Sequence, residues 1–201
     1  MLIVGLTGPS GAGKGVVASL FATHGIPSVD TDKIYHDLLV PPSACLDELT
    51  ARFGTDILSP DGTLNREALA ALVFSPEHGE ELADLNAITH RHILAQTRKL
   101  LAAYESEGAP AVLVDAPQLF ESGFDKECNL ILSVLAPYEV RLARIMARDG
   151  LSEERARARL SAAHTDEFFR ERSDAVIVNG DSTDAMASEV CRLLALWGVT
   201  T

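Results

Sequence analysis

Residues 8–14 read Gly8-Pro9-Ser10-Gly11-Ala12-Gly13-Lys14, and no other stretch limits the fold as tightly. Glycine and proline at this density break any helix or strand and force a turn. Before the turn, Met1 to Thr7 is a short apolar run with β-branched members, the pattern of a strand buried on both faces. After it, Lys14 to His24 carries apolar residues at helical spacing and stops at Gly25. A G-x-x-x-x-G-K spacing between a strand and a helix is a phosphate cradle; the plain alternative is a glycine-rich turn. Glycines admit φ > 0 and let the backbone close around an anion. The N–H groups of the turn and the helix start point at that anion. Lys14 adds a point charge near the β and γ phosphates. Ile26 to Asp30 follows as a second strand, so the order is βαβ and the sheet is parallel.

Downstream, Thr31 to Glu107 has few strand signals. Helical patterns recur in CLDELTARF, in REALAALVF and over Glu77 to Tyr104, with a loop at Ser59-Pro60-Asp61-Gly62. Ala111 to Asp115, Leu130 to Leu135 and Ala175 to Val178 are three more buried-strand candidates. Helices dominate from Pro137 to Arg172, a stretch rich in arginine, and Thr183 to Trp197 is a closing amphipathic helix. The sum is an α/β fold: a five-stranded parallel sheet with two helical excursions.

The formal net charge of −12 argues against a general nucleic-acid binder, which needs excess Lys and Arg to displace counterions. A phosphate site survives that charge because it is local, built from backbone N–H groups and a few cations. Cys45, Cys128 and Cys191 are far apart and odd in number, with no metal spacing, and read as reduced and structural. No apolar run reaches the ~18 residues of a membrane span, and the N-terminal run lacks a signal peptide's basic start. A cytoplasmic protein that binds neither membrane nor nucleic acid is the expectation, with a monomer as the default.

Four further features carry possible chemistry. Asp30-Thr31-Asp32 stands at the carboxyl end of the second strand, where open parallel sheets bind ligands. These carboxylates can take a hydroxyl proton or place a metal, or they cap the next helix. Asp115 closes the AVLVD strand as a Mg²⁺-holding carboxylate does, although a lone Asp after a strand is common. Arg144 and Arg148, four apart, share a helix face and can grip phosphate, or they belong to a solvated face with Asp149, Glu153 and Glu154. His90 and His92 are two apart, share no helix face, and do not make a zinc site. Gly15 is anomalous, because the Ser or Thr that normally follows the loop lysine ligates Mg²⁺. Gly15 and Val16 both lack a hydroxyl, yet GAGKG is similar to the loop of adenylate kinases, where Gly also follows the lysine.

Taken in order, these pieces resemble the dephospho-CoA kinase family, from Ile3 to about Ser182. The resemblance is carried by GLTGPSGAGKG, VDTDKIYH, FGTDILSPDGTLNREALAALVF, ITHRHI, DAPQLFESGFDKECNLILSVLAP, RLARIMARDGLSEERARARLSA and DAVIVNGDS. It implies a P-loop NTPase three-layer fold in a single domain over residues 1–201. The core would be 1–30, 109–137 and 173–201, the helical CoA-binding excursion 31–108, and the lid 138–172. It implies transfer of the γ-phosphate of ATP to the 3′-hydroxyl of dephospho-CoA. Asp32 would be the base, with Asp30 nearby, and Lys14 and Arg144 would share the catalytic work. Gly11, Ala12, Gly13, Lys14, Gly15, Val16 and Arg148 would hold ATP. Asp30, Asp32, His90, Leu119 and Glu121 would meet the acceptor, and Asp32 and Asp115 would hold Mg²⁺, directly or through water. The match departs at Gly15 and Val16, at Arg91 for the Pro of His-Pro, at Gln118 for a Leu, and at Ala163 for the Gln at the lid's end. A kinase for another nucleotide or small metabolite, and a catalytically silent nucleotide-binding module, are the competing readings.

Overall fold

The computed structural model describes residues 1–74, 80–180 and 183–199. Five strands, β1 (Leu2–Thr7), β2 (Ser28–Asp30), β3 (Ala111–Asp115), β4 (Leu130–Leu135) and β5 (Ala175–Val178), form one sheet in the order β2-β3-β1-β4-β5. Every pairing is parallel. The buried-strand pattern of the sequence follows from this, because both faces are covered. On one face, Val4, Leu6, Leu113, Leu132, Val134 and Ile177 pack with Val17 and Phe21 of α1 (Lys14–Thr23). Met186, Val190, Leu193 and Leu194 of a second helix, Thr183–Leu196, complete that layer. On the other face Val112, Val114, Ser133 and Leu135 are also buried. There Gly5 leaves room that Cys128 and Leu119 fill: an added Cβ would lie 2.8 Å from Cys128 Sγ.

The strand expectation at Ile26 to Asp30 shortens to Ser28–Asp30. Pro27 has no N–H to give a ladder, and only its carbonyl takes part, accepting from Leu113 N–H at 2.9 Å. The remaining helices are α2 (Thr31–Leu38), α3 (Ala44–Phe53), α4 (Arg66–Val73), α5 (Glu81–Ser106), α6 (Tyr138–Asp149), α7 (Glu153–Ser161) and α8 (Asp166–Glu171), with α9 at Thr183–Leu196. The expected start of the long helix at Glu77, and Asp181 and Ser182 at the end of the resemblance, lie outside the described residues.

The chain divides into two compact units, Met1–Asp30 with Leu101–Thr201, and Thr31–Leu100. The second has its own core of Leu39, Cys45, Leu49, Phe53, Ile57, Leu69, Val73 and Ile88. Ser43 and Asn65 cap α3 and α4 through their side chains. The turn at Ser59–Gly62 is closed by Ser59 N–H to Thr63 O at 2.8 Å and by Asp61 Oδ1, which accepts from Thr63. Glu48 of α3 ties α5 by accepting from His92 Nε2 at 2.9 Å and from Arg91. Those two bonds, His92 first, hold the Glu48 carboxyl below its ordinary value. No helix among the described residues is long and apolar enough to cross a membrane.

Candidate active site

The loop after β1 owes its path to three glycines with left-handed φ: Gly8 at 137°, Gly11 at 79° and Gly13 at 97°. None has room for a side chain. An added Cβ would lie 2.1 Å from Val134 O at Gly8, 2.8 Å from Arg141 O at Gly11 and 2.1 Å from Asn179 Nδ2 at Gly13. The loop is thus wedged against β4, α6 and the end of β5. Ala12 is fully buried beneath it. Within the loop, Ala12 N–H donates to Pro9 O at 3.2 Å and Val16 N–H to Gly13 O at 3.0 Å. Those two amides are engaged internally. The first N–H groups of α1 lie beyond the reach of any i−4 carbonyl and form the donor end of the cradle. Lys14 Nζ donates to Gly8 O at 3.0 Å, which folds the ammonium over the loop. Gly15 and Val16 are exposed in the first turn of α1.

Arg144 reaches the loop from its carbonyl side. Its Nη1 donates to Gly11 O at 3.2 Å and Ala12 O at 3.3 Å, and its Nη2 to Asn179 Oδ1 at 3.2 Å. Asn179 is 2% exposed and donates Nδ2 to Ala12 O at 2.8 Å. One guanidinium and one amide therefore neutralise the carbonyl dipoles on the back of the loop and turn its N–H groups outward. Arg148, one turn along α6, contacts Ser10 Oγ at 3.4 Å and pairs with Asp149 at 2.7 Å. Asp149 also accepts from Arg159 of α7 at 2.7 Å. The Arg148 hydrogen bond is the main cause that holds the Asp149 carboxyl below its ordinary value.

At the carboxyl edge of the sheet, Asp115 pairs in register with Leu6 of β1 and with Asp30 of β2. Register partners in a sheet leave on the same face, so the two carboxylates stand side by side. Asp115 Oδ1 is shut off from solvent. Like charges directly opposite are unfavourable, and a cation against this pair relieves them. Asp32 and His90 lie in the other unit, in the first turn of α2 and in α5. Leu119 is fully buried under β1, with no side-chain surface left for a ligand. Glu121 is exposed and accepts from His164 Nε2 at 2.9 Å.

Asn179, Ser10 and His164 are the residues that sequence reasoning missed. Asn179 carried a signal: it ends an apolar strand at the same sheet edge as Asp30 and Asp115. Nothing local marks Ser10 or His164, whose partners are more than 40 residues away.

The family profile described as dephospho-CoA kinase matches residues 2–184. A dephospho-CoA kinase of Corynebacterium efficiens is 38% identical over 97% of this chain and 96% of its own. One from Corynebacterium diphtheriae is 39% identical over 92% of both. Among solved structures, TT1252 from Thermus thermophilus superposes with a TM-score of 0.80 at 35% identity, covering 100% of this chain and 98% of its own. Dephospho-CoA kinase from Campylobacter jejuni gives 0.69 at 27% over 96% and 95%. A shikimate kinase of Acinetobacter baumannii, 17% identical with a TM-score of 0.52 over 98% and 94%, shares the fold.

Proposed function

The chain belongs to the dephospho-CoA kinase family, and from that premise we propose how its residues move the γ-phosphate of ATP to the 3′-hydroxyl of dephospho-CoA, giving coenzyme A and ADP. The observation that carries the reading is the strapped loop beside two in-register carboxylates at one sheet edge. Phosphoryl transfer asks little covalent chemistry of a protein. Positioning and charge stabilisation supply the acceleration.

The amides of the loop and the start of α1 hold the phosphates, and Lys14 swings from Gly8 O to the β and γ phosphates. Arg144 keeps the loop's donors facing outward, and Arg148, at the rim over Ser10, meets the charge that develops on the transferring group. Asp32, in the first turn of α2 right after the Asp30 strand end, takes the proton of the acceptor hydroxyl. Asp30, His90 and Glu121 serve the acceptor, and Leu119 acts by packing the backbone that leads to Glu121. The excursion 31–108 binds the CoA part, and 138–172 forms the lid.

The donor set at the sheet edge fits Mg²⁺, a hard cation that takes carboxylate oxygens and keeps several waters. Asp115 and Asp32 would hold it, directly or through water, in place of the hydroxyl absent at Gly15. When bound, Mg²⁺ neutralises charge on the β and γ phosphate oxygens. The net charge of −12 supports a protein whose only phosphate ligands are small molecules.

The deciding experiment supplies purified protein with ATP, Mg²⁺ and dephospho-CoA. ADP forms only with the acceptor present; acceptor-independent or absent turnover at high enzyme concentration removes the reading. Asp32→Asn is expected to lower kcat by roughly 10²–10⁴-fold, the usual worth of a general base, while the calorimetric affinity for ATP stays within about threefold.

A further inference from the structure

One contact outside the loop joins two segments that the reaction needs in step. Glu121, after β3, accepts from His164 Nε2 at 2.9 Å, just ahead of α8. The imidazole is held for that purpose. It lies flat on Phe168, with ring centres 3.8 Å apart and planes 8° apart. Arg172 also lies over Phe168, its guanidinium carbon 4.2 Å from the ring centre. Phe120, next to Glu121, meets the edge of Phe168 at 5.3 Å. Adjacent residues of one loop are thus bound to adjacent layers of one stack. The segment is anchored to the sheet by Ser173 Oγ, 2.7 Å from Ser133 Oγ of β4, and to α6 by Arg141 on Asp166 at 3.3 Å.

We infer that His164 is a positioning residue for the acceptor: stacked on Phe168, it fixes the Glu121 carboxylate and ties the acceptor loop to the last helix of the lid. The inference rests on the acceptor role proposed above for Glu121. A single exposed ion pair contributes little by itself, but here the imidazole's rotation is already restricted by the stack, so the hydrogen bond costs little further entropy. The charged groups around it are Glu121 across the contact, Arg172 over Phe168, and Asp166, which Arg141 engages. A charged imidazole holds the carboxylate as an ion pair. A neutral one still holds it by a single N–H.

Steady-state kinetics of the wild type, His164→Ala and His164→Gln test this. His164→Ala is expected to raise KM for dephospho-CoA about tenfold, with KM for ATP within about twofold and a smaller change in kcat. His164→Gln, which keeps a planar N–H donor, restores most of that KM. Equal changes in both KM values, or no change in either, overturn the proposal. A thermal-unfolding double-mutant cycle of His164→Ala with Glu121→Ala needs no turnover. Non-additive effects support the contact and additive effects reject it, so its outcome is separate from a failure of the kinase reading.

Discussion

Gly15 stands in the first turn of α1 with ordinary helical φ, and an added Cβ there meets nothing within 4 Å. Gly13, two residues earlier, is the opposite case, with φ 97° and Asn179 Nδ2 2.1 Å from an added Cβ. Gly15→Ser is therefore expected to leave the unfolding free energy within about 0.5 kcal/mol of the parent. It also restores a hydroxyl where a Mg²⁺ ligand usually stands, and half-maximal rate should need about tenfold less Mg²⁺. Gly13→Ala should cost about 1–3 kcal/mol from the backbone alone and abolish ATP binding by calorimetry, because the Asn179 strap must move. The three thiols give a second contrast. Burial pushes Cys128 up to about 12 and Cys45 up to about 11, since it penalises the thiolate. Cys191 is exposed on α9. Iodoacetamide near pH 8 should label Cys191 first, since only about 10⁻³ of Cys45 and 10⁻⁴ of Cys128 is thiolate there. Mass spectrometry reads the order, and early labelling of Cys128 would contradict the buried setting.

Between elements, α6 and α7 are joined by Asp149, which accepts from Arg148 and Arg159. Its folded carboxyl titrates below the ordinary value of 3.8, and the unfolded chain does so at that value. The clamp therefore contributes fully above the unfolded value and fades as pH falls through the lower, folded one. Asp149→Asn should lower Tm near pH 7, and the difference should shrink as pH falls below the ordinary carboxylate value. An undiminished difference in acid would mean the clamp does not depend on charge. Elements were the most legible part of the sequence. β3, β4 and β5 fall where the apolar runs stand, because a strand covered on both faces has no reason to alternate. β2 lost two residues to Pro27, an effect of one missing donor. The candidate site was legible wherever the pattern is local, as in the loop glycines, Lys14 and the strand-end aspartates. The register that sets Asp30 beside Asp115, and the Arg144–Asn179 strap, depend on strand order, which no local pattern encodes.

Across the whole molecule, the unit Thr31–Leu100 holds a core separate from that under the sheet. Leu49 is fully buried in it. Leu49→Ala should cost about 2–5 kcal/mol by denaturant unfolding and raise KM for dephospho-CoA. Affinity for ATP should stay put, since the loop, Lys14, Arg144 and Asn179 all belong to the other unit. A parallel loss of ATP affinity would count against an acceptor-binding role confined to this unit.

The strand order has a consequence for how the protein is born. β1 leaves the ribosome first, yet its two neighbours in the sheet are β3 and β4, which begin at Ala111 and Leu130. At about 5–20 residues per second, the central strand waits roughly 5–20 s for its first partner, with its apolar edges open. Meanwhile the intervening residues emerge as short-range helices that can collect around their own core. Asn179 arrives later still, so the strap behind the loop closes only after all five strands have emerged.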